Sequence, residues 1–408
     1  MKLIKTDRYR TGRSLKEGPS GAYQQRFSVA FDYPVCFTRD LFNPANPQLA
    51  AAINRLEDGR RHRIKAYIDE GVFRSGPGIV AKAAAYFETC SPQIELVGDV
   101  EIMPGGEAAK NGWETANRMM ASIASGRLCR QSFVLAIGGG SFLDVAGFAA
   151  SLIHRGVRLI RVPTTVLAQN DAGIGVKNGI DDRGMKNFAG TFAPPFAVIN
   201  DLDFLRSLPD KYWFGGISEA FKVAIIKDRA FFDLLCRYAG RLRRRDDDAI
   251  ETVIKRCAAI HLEHIRDSGD PFEYGTARPL DFGHWSAHKL EILSGYEIGH
   301  GQAVSMGIAL DAAYASFVGL ITVSERDGIV DALEQTGLPV WSHYLEQKTA
   351  ADELAILKGL AEFQEHLGGE LHITLPNGIG SKVEVHKMDP DLIAQAVTYL
   401  KQRASASQ

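Results

Sequence analysis

Three histidines and one glutamate are spaced for chemistry. Gly283-His284-Trp285-Ser286-Ala287-His288 sets two imidazoles four residues apart, on one face of a helix, and Gly299-His300-Gly301 follows twelve residues after His288. Two imidazoles so placed are a metal pair, or one ligand beside one acid/base group. A Lewis-acidic site adds a carboxylate. Glu219 is the candidate, because it sits in a largely apolar helical stretch, Gly215-Gly-Ile-Ser-Glu-Ala-Phe-Lys222, where an unpaired carboxylate is costly. The competing reading is a buried Glu219–Lys222 ion pair with His300 as an ordinary loop residue; the convergence of donor types favours the metal.

A second constellation is built on glycine. Ser132–Ile137 reads as a buried strand running into Gly138-Gly139-Gly140-Ser141 and then a helix carrying Asp144. Glycines admit the backbone close to a pyrophosphate, and the helix N-terminus offers unpaired N–H groups. The run lacks the GxGxxG spacing and would be only a tight turn by itself. Its neighbours support it. Pro163-Thr164-Thr165 ends the next strand, Asp69 ends an earlier one where a carboxylate could meet a ribose, and Gly105-Gly106-Glu107 with Lys110 makes a second glycine turn. Arg155, Lys177, Lys186 and Asn187 lie on glycine-rich turns around Asn170–Gly175, and suit a phosphorylated substrate.

The elements that must position these groups follow from the pattern. Strands are expected at 27–37, 64–69, 94–97, 132–137 and 157–162, with helices at 109–126 and 141–154; strands alternating with helices imply a parallel, Rossmann-like sheet. After about residue 205 long amphipathic stretches take over, at 216–238, 246–266, 283–295, 302–318, 322–336 and 350–366, with one β-like patch at 371–375. The expected organisation is a loose polar arm over 1–24, a dinucleotide-binding α/β domain over 25–205 and a helical metal- and substrate-binding domain over 206–408, with the site in the crevice between the last two. The run Arg243–Asp248 reads as a solvated helix junction.

The 408 residues, 45% hydrophobic and 24% charged, exclude a mostly disordered chain. A net charge of −2 gives no global pull toward nucleic acid or membrane. Five scattered cysteines with no CxxC pair, no signal-like start and no long apolar run point to a cytoplasmic protein.

In this order, the pieces resemble the sugar-phosphate cyclase superfamily, whose type member is 3-dehydroquinate synthase. The resemblance covers roughly residues 25–400. It rests on Ala136–Phe148, on Arg155-Gly156 with Val162-Pro-Thr-Thr-Val-Leu-Ala-Gln-Asn-Asp171, and on Lys186-Asn187 with Gly190. It also rests on Asp201–Leu205 with Leu208-Pro209 and Glu219–Lys222, and on Gly283-His284, His288, Glu291 and His300-Gly301. It implies metal ligation by Glu219, His284 and His300, by Zn2+ or alternatively Co2+, with His288 as a further catalytic histidine. NAD would be held by Asp69, Glu107, Lys110, Gly138, Gly139, Gly140, Ser141, Asp144, Thr164 and Thr165. Asp171, Lys177, Arg155, Lys186, Asn187 and Lys222 would surround the substrate, Arg155 by reaching into a second subunit, which implies a homodimer. The implied reaction oxidises one hydroxyl transiently, eliminates phosphate, restores the alcohol and closes a carbocycle by an intramolecular aldol step, with no net redox change.

The chain also departs from the type member. Asp281 replaces an asparagine, Arg278 is shifted by one position, His261 and Gln364-Glu365 stand where lysines do, and an insertion surrounds Asp270–Gly275. These changes fall where the substrate is gripped. A carboxylated heptulosonate would be repelled by Asp281 and Glu365, whereas a neutral polyol end, as in sedoheptulose 7-phosphate, would find acceptors. The alternatives are 3-dehydroquinate synthase itself, a metal-dependent glycerol or alcohol dehydrogenase of the same fold, or a non-catalytic descendant.

Overall fold

The structure is a computed structural model and describes residues 21–22, 25, 27–90, 92–272, 280–366 and 370–406. Most of the arm expected over 1–24 lies outside the described residues, as does Arg278. The described strands are β1 (Val35–Thr38), β2 (His62–Asp69), β3 (Ile94–Leu96), β4 (Glu101–Met103), β5 (Phe133–Gly138), β6 (Arg158–Pro163), β7 (Lys177–Asp182), β8 (Met185–Phe192), β9 (Ala197–Asp201), β10 (Ile373–Pro376) and β11 (Lys382–Val385).

The main sheet has seven strands in the order β1-β9-β6-β5-β2-β3, with β4 also on β2. Every pairing in it is parallel. All six residues of β5 are buried, as a strand covered on both faces requires. Alternation divides them. Ile64, Ala66, Ile68, Phe133, Leu135 and Ile137 pack into one core layer. Tyr67, Val134 and Ala136 pack into the layer on the other side, against Phe142, Leu143 and Val145 of the Gly140–Leu152 helix.

The helices after Asp210 share one further core. Its centre is the crossing of the Asp210–Lys227 and His300–Phe317 helices, and glycine permits that crossing. A Cβ on Gly301 would lie 2.0 Å from the Gly215 carbonyl oxygen, and one on Gly307 2.0 Å from the Gly283 carbonyl oxygen. Gly283 itself has φ +78°, a value that side chains rarely adopt.

Several expected boundaries move. The expected strand over 27–37 is confined to Val35–Thr38. The stretch 109–126 is two helices, Gly106–Lys110 and Glu114–Ser125. The stretch 216–238 breaks at Asp228, whose carboxylate accepts from the Phe231 N–H and starts the Arg229–Arg243 helix. The helix expected over 350–366 begins at Lys358. The segment read as glycine-rich turns at 177–192 is an antiparallel hairpin, β7–β8. A C-terminal helix, Pro390–Ala406, had no counterpart in the expected elements. At the 243–248 charge run, Asp246 caps the Asp247–Asp267 helix and pairs with Arg241. No helix among the described residues is long and apolar enough to cross a membrane.

Candidate active site

The two glycine contacts bring together residues distant in sequence. Glu219 lies about one turn beyond Gly215, and His300 precedes Gly301, so the close crossing sets their side chains face to face. The Gly283–Gly307 contact docks the start of the His284–Leu293 helix onto the same helix. The result is a group in which Glu219 Oε1 is 3.7 Å from His284 Nε2 and 3.6 Å from His300 Nε2. One donor atom from each of the three lies within 4.8 Å of the others.

Both imidazoles have their outer nitrogen occupied. His284 Nδ1 is 3.1 Å from the Phe282 carbonyl oxygen, and His300 Nδ1 is 3.3 Å from Glu291 Oε2. An acceptor on Nδ1 fixes the tautomer that turns the Nε2 lone pair inward, the usual support of a metal-binding histidine. Donor set and orientation therefore fit a divalent transition metal. In the protein's own field, burial pushes the Glu219 carboxyl up, but Lys222 and the two imidazoles outweigh it and hold it well below the usual range. Burial, helped by Lys222, lowers His284 to about 4. Burial would lower His300 too, but Glu219 and Glu291 raise it to about 9.

His288 stands beside this group, its ring 5.5 Å from that of His284 and 6.0 Å from that of His300, and its side chain is exposed. Lys222 pairs with Glu219, and its Nζ is 3.5 Å from Asp171 Oδ2. Asp171 also lies 3.4 Å from His261 Nδ1, a buried ring whose pKa burial lowers. Lys186 on β8 reaches across to the helical side and meets Glu291 at 2.9 Å. Asn187 holds φ +53°, with its N–H donating to Asp181. Lys177 opens β7 and is exposed. Asp281 accepts the His284 N–H on its backbone carbonyl, and its charge raises Lys222 further.

The glycine turns form a second part. Gly139 precedes the Gly140–Leu152 helix as its cap. A Cβ on Gly138 would lie 2.4 Å from Phe142, and one on Gly139 3.3 Å from Thr165. The Gly106–Lys110 helix is tied across this turn twice, by Ser141 donating to Glu107 at 2.6 Å and by Lys110 with Asp144 at 2.6 Å. Glu107 and Lys110 are thus partners of the Gly140–Leu152 helix rather than of each other. Thr165 Oγ1 accepts from the Ala168 N–H. The Thr164 hydroxyl is buried without a hydrogen-bond partner among the described residues. A bare backbone turn at a helix N-terminus beside an orphaned hydroxyl fits a dinucleotide. Asp69 lies at these turns: it is buried, it accepts the Gly71 N–H at 2.7 Å, and it packs against Gly105 and Gly138, so its carboxylate braces them.

Arg155 is not brought to the group. It follows the C-terminal end of the 13-residue Gly140–Leu152 helix, about 20 Å from the glycine turn at its start, with φ +62° and an exposed side chain.

Three supporting residues escaped the sequence reading. Glu291 was seen only as a motif position, yet it orients His300 and pairs Lys186. Asp311 accepts the Gly283 N–H at 3.0 Å and the Trp285 indole N–H at 2.8 Å, fixing the turn that presents His284; burial pushes its carboxyl up to about 7. Its isolation in the apolar run Ile308–Ala313 was the available signal. Arg161, fully buried, donates to the carbonyls of Gly173, Gly175 and Lys177 and to the Asn178 side chain, and so clamps the entry of the β7–β8 hairpin.

Comparison with known proteins adds to this geometry. Residues 100–214 match the 3-dehydroquinate synthase N-terminal family, and residues 216–358 the 3-dehydroquinate synthase C-terminal family. The chain is 35% identical over 300 residues to a 3-dehydroquinate synthase from Vibrio atlanticus, covering 73% of this chain and 81% of the relative. It is 33% identical over 359 residues to a 2-epi-5-epi-valiolone synthase from Streptomyces glaucescens, covering 88% and 87%. A solved 2-epi-5-epi-valiolone synthase from Streptomyces hygroscopicus subsp. jinggangensis, with NAD+ and Zn2+ bound, superposes with a TM-score of 0.81 at 31% identity over 93% of this chain and 99% of that one.

Proposed function

The chain belongs to the 3-dehydroquinate synthase family of sugar-phosphate cyclases, and we propose that within it this protein is a phosphate-eliminating lyase that closes a neutral heptulose phosphate, such as sedoheptulose 7-phosphate, into a carbocycle. Glu219, His284 and His300 hold the divalent metal, zinc or cobalt. Gly138–Ser141, Glu107, Lys110, Asp144, Thr164 and Thr165 hold NAD. When bound, NAD supplies transient oxidation and re-reduction of one substrate alcohol, and the metal polarises that oxygen.

The chain's own groups do the rest. His288, beside the Glu219 group and outside it, is placed to take and return a proton. Lys222, braced by Glu219 and Asp171, presents a fixed cation beside the metal position. Lys177, Lys186 and Asn187 on the β7–β8 hairpin face the phosphate. Arg155, too far from its own site, completes that of a second copy, so the working unit is a homodimer. Five free cysteines suit a cytoplasmic enzyme.

One observation carries the substrate choice. Two cations beside the metal position are already matched: Lys222 with Glu219 and Asp171, Lys186 with Glu291. A lysine of the type member is replaced by the buried His261, whose pKa is depressed. A substrate carboxylate would need surplus positive charge, whereas hydroxyls can donate to Asp281 and Asp171. The 2-epi-5-epi-valiolone synthase likeness, which spans more of the chain, supports the same reading. The test is a parallel assay with sedoheptulose 7-phosphate and 3-deoxy-arabino-heptulosonate 7-phosphate at equal concentration. Phosphate release from the first is expected. Release from the second alone, with dehydroquinate as product, would make the chain a 3-dehydroquinate synthase.

A further inference from the structure

A second group of metal-type donors lies on the β10–β11 hairpin. The antiparallel register pairs Ile373 with Val385 and Thr374 with Glu384. Extending it by one step sets His372 opposite His386. With alternation along each strand, His372, Glu384 and His386 all fall on one face of the hairpin. Their side chains converge: His372 Nδ1 is 2.8 Å from Glu384 Oε1, and His386 Nε2 is 4.0 Å from the same oxygen. The two rings cross edge-to-face with centroids 4.8 Å apart. One donor from each residue lies within 4.8 Å of the others.

One outer nitrogen is held as at the catalytic group. His386 Nδ1 is 2.8 Å from the Leu371 carbonyl oxygen, which leaves its Nε2 lone pair turned toward Glu384. His372 Nε2 is 3.6 Å from a Glu370 carboxylate oxygen, and the side chain is nine-tenths buried with that nitrogen lacking a hydrogen bond. One imidazole is backed by a carbonyl, the other has a carboxylate near its outer nitrogen, and a glutamate stands between them, as in sites that orient ligands around a metal. Donors about 2.0–2.2 Å from a tetrahedral zinc lie about 3.3 Å apart, and the separations of 2.8 and 4.0 Å bracket that spacing.

We propose that His372, Glu384 and His386 form a second metal site, for a divalent first-row transition ion of the zinc, cobalt, nickel or copper class. Two imidazoles and one carboxylate exclude the oxygen-preferring magnesium and calcium. His386 is 62% exposed and Glu384 35%, so solvent completes the coordination. Lys382, one pair further along the same face, tempers the affinity. Bound metal would staple the two strands.

The site is independent of the catalytic reading, and the experiment keeps the two apart. Tag-free protein is titrated with Zn2+ or Co2+ against a chromophoric chelator, alongside His386→Ala, Glu384→Gln and Glu219→Ala variants, with folding checked by circular dichroism. Two equivalents per chain are expected for the parent and one for each variant. A parent that binds one equivalent, lost in the two hairpin variants and kept in Glu219→Ala, retains this site and removes the catalytic one. Hairpin variants that bind as much metal as the parent overturn it.

Discussion

The Glu219–His284–His300 group and the His372–Glu384–His386 group use the same side chains and differ in how they are assembled and enclosed. The first is built from three helices, drawn together by Gly215 against Gly301 and Gly283 against Gly307. The second needs only the register of one hairpin. Glu219 is 1% exposed, with Lys222 against it and His288 beside it. Glu384 is open to water and stands opposite Thr374. The contrast separates holding a metal from using one. Ligand geometry is available to a two-stranded hairpin, whereas chemistry needs burial, a fixed neighbouring cation, a spare imidazole and a dinucleotide turn.

The largest expected effect tests that separation. Glu219→Ala or His300→Ala should remove one metal equivalent and lower turnover by about 10³-fold or more, the several kcal/mol that a Lewis acid supplies. His386→Ala should remove the other equivalent with turnover retained. Metal analysis and phosphate-release kinetics on the same preparations check both. Next comes the spare imidazole: His288→Gln should keep both metals and lower kcat by about 10²-fold, the low end for general acid–base catalysis. Loss of metal in that variant would make His288 a ligand.

The orienting carboxylates should rank by burial. Glu291→Gln should weaken metal binding at the catalytic group by about 10–100-fold, and it also frees Lys186. Glu370→Gln, whose parent side chain is 84% exposed, should weaken the hairpin site by no more than about a few-fold, since an exposed carboxylate is already screened by water. Competitive chelation on the single-site variants measures each.

The smallest effect is a pH signature. Glu219 and Glu291 hold the His300 proton up to about pH 9. The raised pKa means that the ring is charged near neutral pH, so metal must displace a proton there. In Glu384→Gln, metal uptake should release about one proton near neutral pH and tighten as pH rises toward about 9, then level off. Calorimetry in buffers of different ionisation enthalpy counts the proton.

Much of the first group was legible in sequence because its parts carry separate signals. His284 and His288 share a helical face, Glu219 is an acid in an apolar helix, and Gly138–Gly140 follows a buried strand. The Gly215–Gly301 and Gly283–Gly307 approaches that unite these parts were not legible, since a helix crossing is a tertiary event with no local pattern. The β7–β8 hairpin was misread as turns because Gly179 and Gly190 lie in facing strand positions, where glycine weakens the strand signal. The split at Asp228 was hidden because the apolar period continues across it, and one N-capping carboxylate is enough to start a new helix there. The hairpin histidines gave no spacing cue, because antiparallel register joins positions fourteen residues apart.

The most direct test of the central claim is the redox balance of turnover. Enzyme loaded with NAD and Zn2+ is mixed with sedoheptulose 7-phosphate, and inorganic phosphate, NADH absorbance and product mass are followed together. The account predicts one phosphate per substrate consumed, a product lighter by the elements of phosphoric acid, and no accumulation of NADH. NADH rising in step with substrate loss, with the phosphate still attached, would contradict it and make the protein a dehydrogenase built on the same fold.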